Sequence, residues 1–90
     1  MTEYTYKISG NLTYNDAAGT EDGFATVEIE DFITVEEMSA EKALELFLEE
    51  NECYDFFGKL TQYDADTRGK KWAQFRDQYE GQTILVEYAD

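Results

Sequence analysis

Glu41, Glu45 and Glu49 recur every four residues, and Glu28 and Glu30 recur every two. On a helix the first set steps by about 6 Å, and on a strand the second steps by about 6.6 Å. These intervals are on the scale of successive phosphates along one nucleic-acid strand, whose axial rise is about 3.4 Å before the helical path is added. Carboxylates held at such intervals by a fold can be offered to a groove built for DNA or RNA, and little ordering entropy is lost on docking. With Glu52 they form the candidate partner-binding set: Glu28, Glu30, Glu41, Glu45, Glu49 and Glu52.

Other chemistry is poorly supplied. The absence of histidine excludes Ser-His-Asp and Cys-His catalysis and histidine-containing zinc sites. Cys53 stands between Glu52 and Asp55, whose charges work against a thiolate. Beside Tyr54, Phe56 and Phe57 it reads as a small buried hydrophobe in a reducing compartment. With 21 acidic residues, carboxylate pairs suited to acid–base catalysis arise by chance. Asp64-Ala-Asp66-Thr-Arg68-Gly69 opens like a calcium loop, but Arg68 and Phe75 fall where positions five and twelve need oxygen ligands. It reads as a turn. No phosphate-binding glycine loop is present, because Gly19 and Gly23 lack the motif and a following helix. The expectation is a non-enzymatic protein with no catalytic residue, metal or cofactor.

Charge narrows the partners. The chain has 90 residues, with 21 acidic against 7 basic, and a formal net charge of −14. Fourteen of the acids lie between Asp16 and Asp55 with a single cation, Lys42, whereas Lys59, Arg68, Lys70, Lys71 and Arg76 cluster further on. Such a field repels nucleic acid and membrane surfaces and attracts basic ones. Arg68, Lys70, Lys71 and Arg76 beside Trp72 and Phe75 have the mix that binds nucleic acid. Against the long-range field of this chain, they read as internal compensation for acids.

The elements that must position these groups follow from periodicity. Residues 4–14 alternate apolar and polar, giving a half-buried strand in which Gly10 marks a bulge or bend. Asn15 to Gly23 is a polar hairpin loop. A second strand runs from Phe24 to Glu36, with Asp31 as a bulge that shifts register. Ala40, Ala43, Leu44, Phe47 and Leu48 then recur at helical spacing, with Ser39 as N-cap and Glu41 near the positive end of the dipole. Thr34-Val-Glu-Glu37 also fits a capping box, so a start at Val35 competes with one at Ala40. Glu49, Glu50 and Glu52 sit at the helix end where the dipole opposes negative charge. Folding alone does not account for that placement.

Cys53, Phe56, Phe57 and Leu60 predict a short helical turn, and Leu60 to Asp66 fits a brief strand or an irregular connection equally. Trp72, Phe75 and Tyr79 with Ala73 predict a second amphipathic helix over Lys70–Glu80, closed by Gly81. Thr83 to Tyr88 is a β-branched strand. Ninety residues make a single domain (1–90). The expected class is α+β: a small antiparallel-rich sheet, made of the N-terminal hairpin and the C-terminal strand, covered by helices on one face in the order β-β-α-α-β. No apolar run approaches a membrane span and the N-terminus lacks a signal-peptide pattern, which predicts a soluble, cytoplasmic protein.

In size, acidity and its strand-strand-helix opening, the chain resembles small acidic phage-encoded anti-defence proteins of the anti-CRISPR and anti-restriction type, some of which are nucleic-acid mimics. The likeness covers general character and no motif, so it carries over no functional residue. It implies a stoichiometric inhibitor in the host cytoplasm that occupies the positively charged nucleic-acid channel of a bacterial defence complex. The competing reading is a small interaction or housekeeping domain whose acidity serves solubility or salt adaptation. Such a domain would dimerise through an exposed strand edge or its Tyr/Phe-rich surface.

Overall fold

The period-two alternation near the N-terminus builds the strand on which the sheet is assembled. A computed structural model of the chain describes residues 2–15, 24–51, 54–79 and 81–89. Strand β1 (Tyr4–Asn15) pairs along its whole length with β2 (Phe24–Val35), and α1 (Ala40–Glu50) follows. A two-residue β3 (Tyr54–Asp55), then β4 (Gly58–Tyr63), β5 (Trp72–Asp77) and β6 (Thr83–Tyr88) complete the chain. The six strands form one antiparallel sheet of order β2-β1-β6-β5-β4, with β3 pairing β1 off that path. β1 is thus interior, and the two outer strands are β2 and β4.

Tyr6, Ile8 and Leu12 of β1, Ile33 and Val35 of β2, Ala73 and Phe75 of β5, and Ile84 and Val86 of β6 project from the same side of the sheet and are buried. Ala40, Ala43, Leu44 and Phe47 of α1 close over them in one cluster. Burying each of the larger side chains contributes about 1.5–3 kcal/mol. The Ser39 hydroxyl accepts from the Lys42 N–H at 3.2 Å, the expected N-cap. Asn51 ends the helix, its amide side chain donating to the Phe47 carbonyl at 2.8 Å. Among the described residues no helix lies on the opposite face of the sheet, in keeping with a shortest molecular dimension of 16 Å.

Several expectations are corrected. The molecule is mostly antiparallel sheet with one short helix, and not an α+β fold with two helices over a small sheet. Lys70–Glu80 contains strand β5 in place of the second helix: Ala73, Phe75 and Asp77 are buried while Gln74 and Arg76 are not. Cys53 lies outside the described residues, and the helical turn foreseen from it to Leu60 is replaced, where described, by β3 and β4. The open choice for Leu60–Asp66 resolves as the latter half of β4 followed by a turn.

β2 stays extended through Val35, so α1 starts at Ala40 and the capping box is not used. No bulge occurs at Asp31, since the β1–β2 register runs unbroken from Tyr4↔Val35 to Asn15↔Phe24. Asp31 sits on an outer strand, exposed, and its carboxylate accepts from the Phe32 N–H at 2.8 Å. Gly10 is likewise unbulged, pairing with Ile29 on one side and Ile84 on the other. It is required for closeness: its φ is 140°, and a Cβ there would run into the backbone carbonyl oxygen of Thr83. Gly81 caps no helix. At φ 81° it forms the β5–β6 turn, where its N–H donates to the Asp77 carbonyl at 3.2 Å.

Candidate functional site

Glu41, Glu45 and Glu49 all stand exposed on the outer side of α1, as a four-residue step on a helix demands. Glu50 is exposed at the same end, and the last turn contains no basic residue. The bend between β2 and α1 adds exposed Glu36 and Glu37. Where the end of β2 meets the helix there is a shallow hollow of about 500 Å³ whose lining includes Glu36, Glu37, Glu45 and Glu49. Its compensating cation, Lys42, lies 3.6 Å from Glu45 in an exposed i,i+3 pair, which contributes only tenths of a kcal/mol. Glu36 and Glu37 extend the predicted set. Their signal in the sequence was a pair of adjacent acids between a strand end and an N-cap.

Glu28 and Glu30 do not join them. They alternate with Val27, Ile29 and Ile33 and stand exposed on the sheet face that α1 leaves bare. Glu30 is 3.5 Å from Lys7 of the neighbouring strand. The structure therefore divides the predicted set between two sides of the sheet: three glutamates on the helix and two behind it. Glu52 lies outside the described residues.

The expected internal compensation takes another form. Among the described residues the ion pairs are Lys7–Glu30 and Lys42–Glu45. Lys59, Arg68, Lys70, Lys71 and Arg76 pair with no carboxylate among those residues. Lys59 faces Arg76 across the β4–β5 ladder, a like-charge pair. Arg68 and Lys70 flank a groove of about 610 Å³ beneath the N-terminus of α1, with Leu60, Tyr63 and Phe75 among its apolar lining.

Asp64 and Asp77 are buried, and the carboxylate of each accepts from backbone N–H groups. The Asp64 carboxylate accepts from the N–H groups of Thr67 at 2.7 Å, Lys71 at 3.0 Å and Trp72 at 2.9 Å, and from the Thr67 hydroxyl. Burial by itself would raise its carboxyl, but the Thr67 hydroxyl and the three N–H donors outweigh it and bring the pKa down to about 2. Arg68, with φ 58°, and Gly69, with φ 82°, complete this turn. The calcium-like spacing read in the sequence thus serves a loop that binds its own backbone. Asp77 accepts from the Phe57 N–H at 3.1 Å and the Tyr79 N–H at 2.8 Å, tying the start of β4 to the β5–β6 turn. Among the described residues no group of three or more Asp, Glu, Cys or His could hold a metal ion.

Tyr6 is buried, and its hydroxyl donates to the Lys70 carbonyl. Burial, then the neighbouring Tyr88 and Tyr4, pushes its pKa up to about 12, so the phenol is a structural donor. No described helix is long and apolar enough to cross a membrane. Comparison with protein-family models, with curated proteins and with solved structures found no match to this chain.

Proposed function

We propose that the chain is a non-enzymatic cytoplasmic binding protein whose α1 face engages a basic, nucleic-acid-binding surface of a partner, in the manner of an anti-defence nucleic-acid mimic. The observation that carries this reading is the row Glu41, Glu45 and Glu49, extended by Glu36 and Glu37, exposed on a rigid helix and bend with Lys42 as its nearby cation. Carboxylates at the C-terminal end of α1 oppose the helix dipole and weaken the fold slightly. A docking role supplies the reason for that cost. Glu28 and Glu30, on the far side of the sheet, fall outside the proposed contact.

The test is affinity capture from a cell lysate at low and high salt. It compares the natural chain with the triple variant Glu41→Lys, Glu45→Lys, Glu49→Lys. Capture of nucleic-acid-binding proteins by the natural chain, released by salt and by competing DNA or RNA and absent with the variant, is expected. Equal capture by both chains removes the proposal.

A further inference from the structure

The two outer strands are unlike. β2 is long and carries exposed Glu28, Glu30 and Asp31, the charged guarding that keeps a strand edge from pairing. β4 holds a single charged residue, Lys59, and every one of its six residues is exposed. Four of the five large hydrophobic residues exposed among the described ones gather around it: Phe57 at 57%, Leu60 at 45%, Tyr63 at 51% and Tyr79 at 77%. Phe57 and Tyr79 meet edge-on, ring centres 5.5 Å apart, where β4 begins. A register shift between Leu60 and Gln62 then turns Tyr63 to the same side as Leu60, opposite Phe75 and Ala73.

From these observations we infer that the β4 edge is the contact between two copies of this chain, paired antiparallel about a two-fold axis near Thr61. Area favours this occupant. A buried aromatic covers about 150–250 Å², so the exposed parts of these four side chains come to roughly 400 Å² per copy. A pair would cover about 800 Å² before the strand edge is counted, and specific interfaces begin near 1,000–1,200 Å². A six-residue edge, about 20 Å long, supplies the remainder.

Charge favours it too. Between Gly58 and Asp77 there are five cations and three carboxylates, on a chain of −14. Two of those carboxylates, Asp64 and Asp77, are tied to backbone N–H groups. A second copy approaching this side meets Arg68 and Lys70 beside Leu60 and Tyr63, with Glu37 and Glu41 as the acids that line the same groove. The axis sets the Phe57 end of one strand beside the Tyr63 end of the other, which keeps the two Lys59 charges apart. Isologous pairing of this kind also closes on itself, leaving only the guarded β2 edges outward.

Sedimentation velocity on the purified chain across a concentration series tests the inference and involves no other partner, so its outcome is independent of the acidic-face proposal. A dimer is expected that tightens as salt is raised, because screening relieves repulsion between two −14 chains. Leu60→Lys with Tyr63→Lys, both at exposed positions, should weaken it by roughly tenfold or more while circular dichroism and Tm show the fold retained. Phe32→Lys, on the β2 edge, should leave it unchanged. A chain that sediments as a 10.4 kDa monomer throughout, or a dimer lost with Phe32→Lys and kept with the β4 pair of substitutions, overturns the inference. Pairing of β4 with a strand from another protein while this chain stays monomeric overturns it as well.

Discussion

Asp64 and Asp77 each sit buried at the end of a strand with backbone N–H groups pointed at both carboxylate oxygens, whereas Glu41, Glu45 and Glu49 stand in solvent with Lys42 as their nearby cation. The side-chain group is the same, and its surroundings give it opposite work. In the β4–β6 region the carboxylate is part of the backbone's hydrogen-bond network, and its loss strands donors. On α1 it contributes at most tenths of a kcal/mol, through the Lys42 pair and the favourable dipole end at Glu41, and at the helix C-terminus it works against folding. Acidity in this protein is therefore two populations: one answers for the fold and the other stands in solvent on the helix.

Substitution can sharpen or break that division. The largest effect is expected from Asp64→Ala, which deprives three N–H groups and the Thr67 hydroxyl of their acceptor. It should lower Tm more than any other carboxylate substitution in the molecule, as read by thermal unfolding. Asp77→Ala comes next, with about 1–3 kcal/mol for each donor left buried without an acceptor, measured by denaturant titration. If either change is silent, the proposed distinction collapses.

Titration gives a second view. The Asp64 carboxyl is held at about 2 against its ordinary value of 3.8. Its stabilisation is thus fully present above about pH 4 and is lost as the pH falls toward 2. Acid unfolding of Asp64→Asn should show a flattened dependence in that window. Smallest of all are the helix changes. Each lysine of the Glu41, Glu45, Glu49 triple should shift stability by no more than about 1 kcal/mol. Glu49→Lys alone should stabilise the chain by about 0.3–1 kcal/mol through the dipole. A large loss of stability in the triple variant would move these glutamates into the structural population.

The same contrast explains which parts were legible from residues alone. β1, β2, α1 with its Ser39 cap and β6 all carry local signals, namely alternation, helical spacing and a capping hydroxyl, and local signals survive into the fold. Trp72, Phe75 and Tyr79 misled because spacings of three and four imitate a helix, while Ala73, Phe75 and Asp77 fit a strand equally well. The choice was made by partners distant in sequence: β6 supplies Val86 and Ile84 opposite Ala73 and Phe75. Asp77, the last residue of β5, is turned inward to accept from the Phe57 and Tyr79 N–H groups.

The acidic ladder divides in the same way. Glu41, Glu45 and Glu49 share one side of α1 because a single helix sets their relation. Whether Glu28 and Glu30 joined them depended on which side of the sheet α1 crosses. That is a property of the whole topology and of no stretch within it.

The interior position of β1 has its own implication for assembly. One of its neighbours, β2, is a hairpin away, but the other is β6, so that Tyr6 must find Tyr88 and Gly10 must find Ile84 across nearly the whole chain. The hairpin and helix can gather early, yet the slot beside β1 fills only when a remote segment arrives, a closure that sets a slow pace for folding. Cutting the chain ahead of Thr83 would leave that slot vacant, and a free peptide spanning Thr83–Tyr88 is the shape that would complement it.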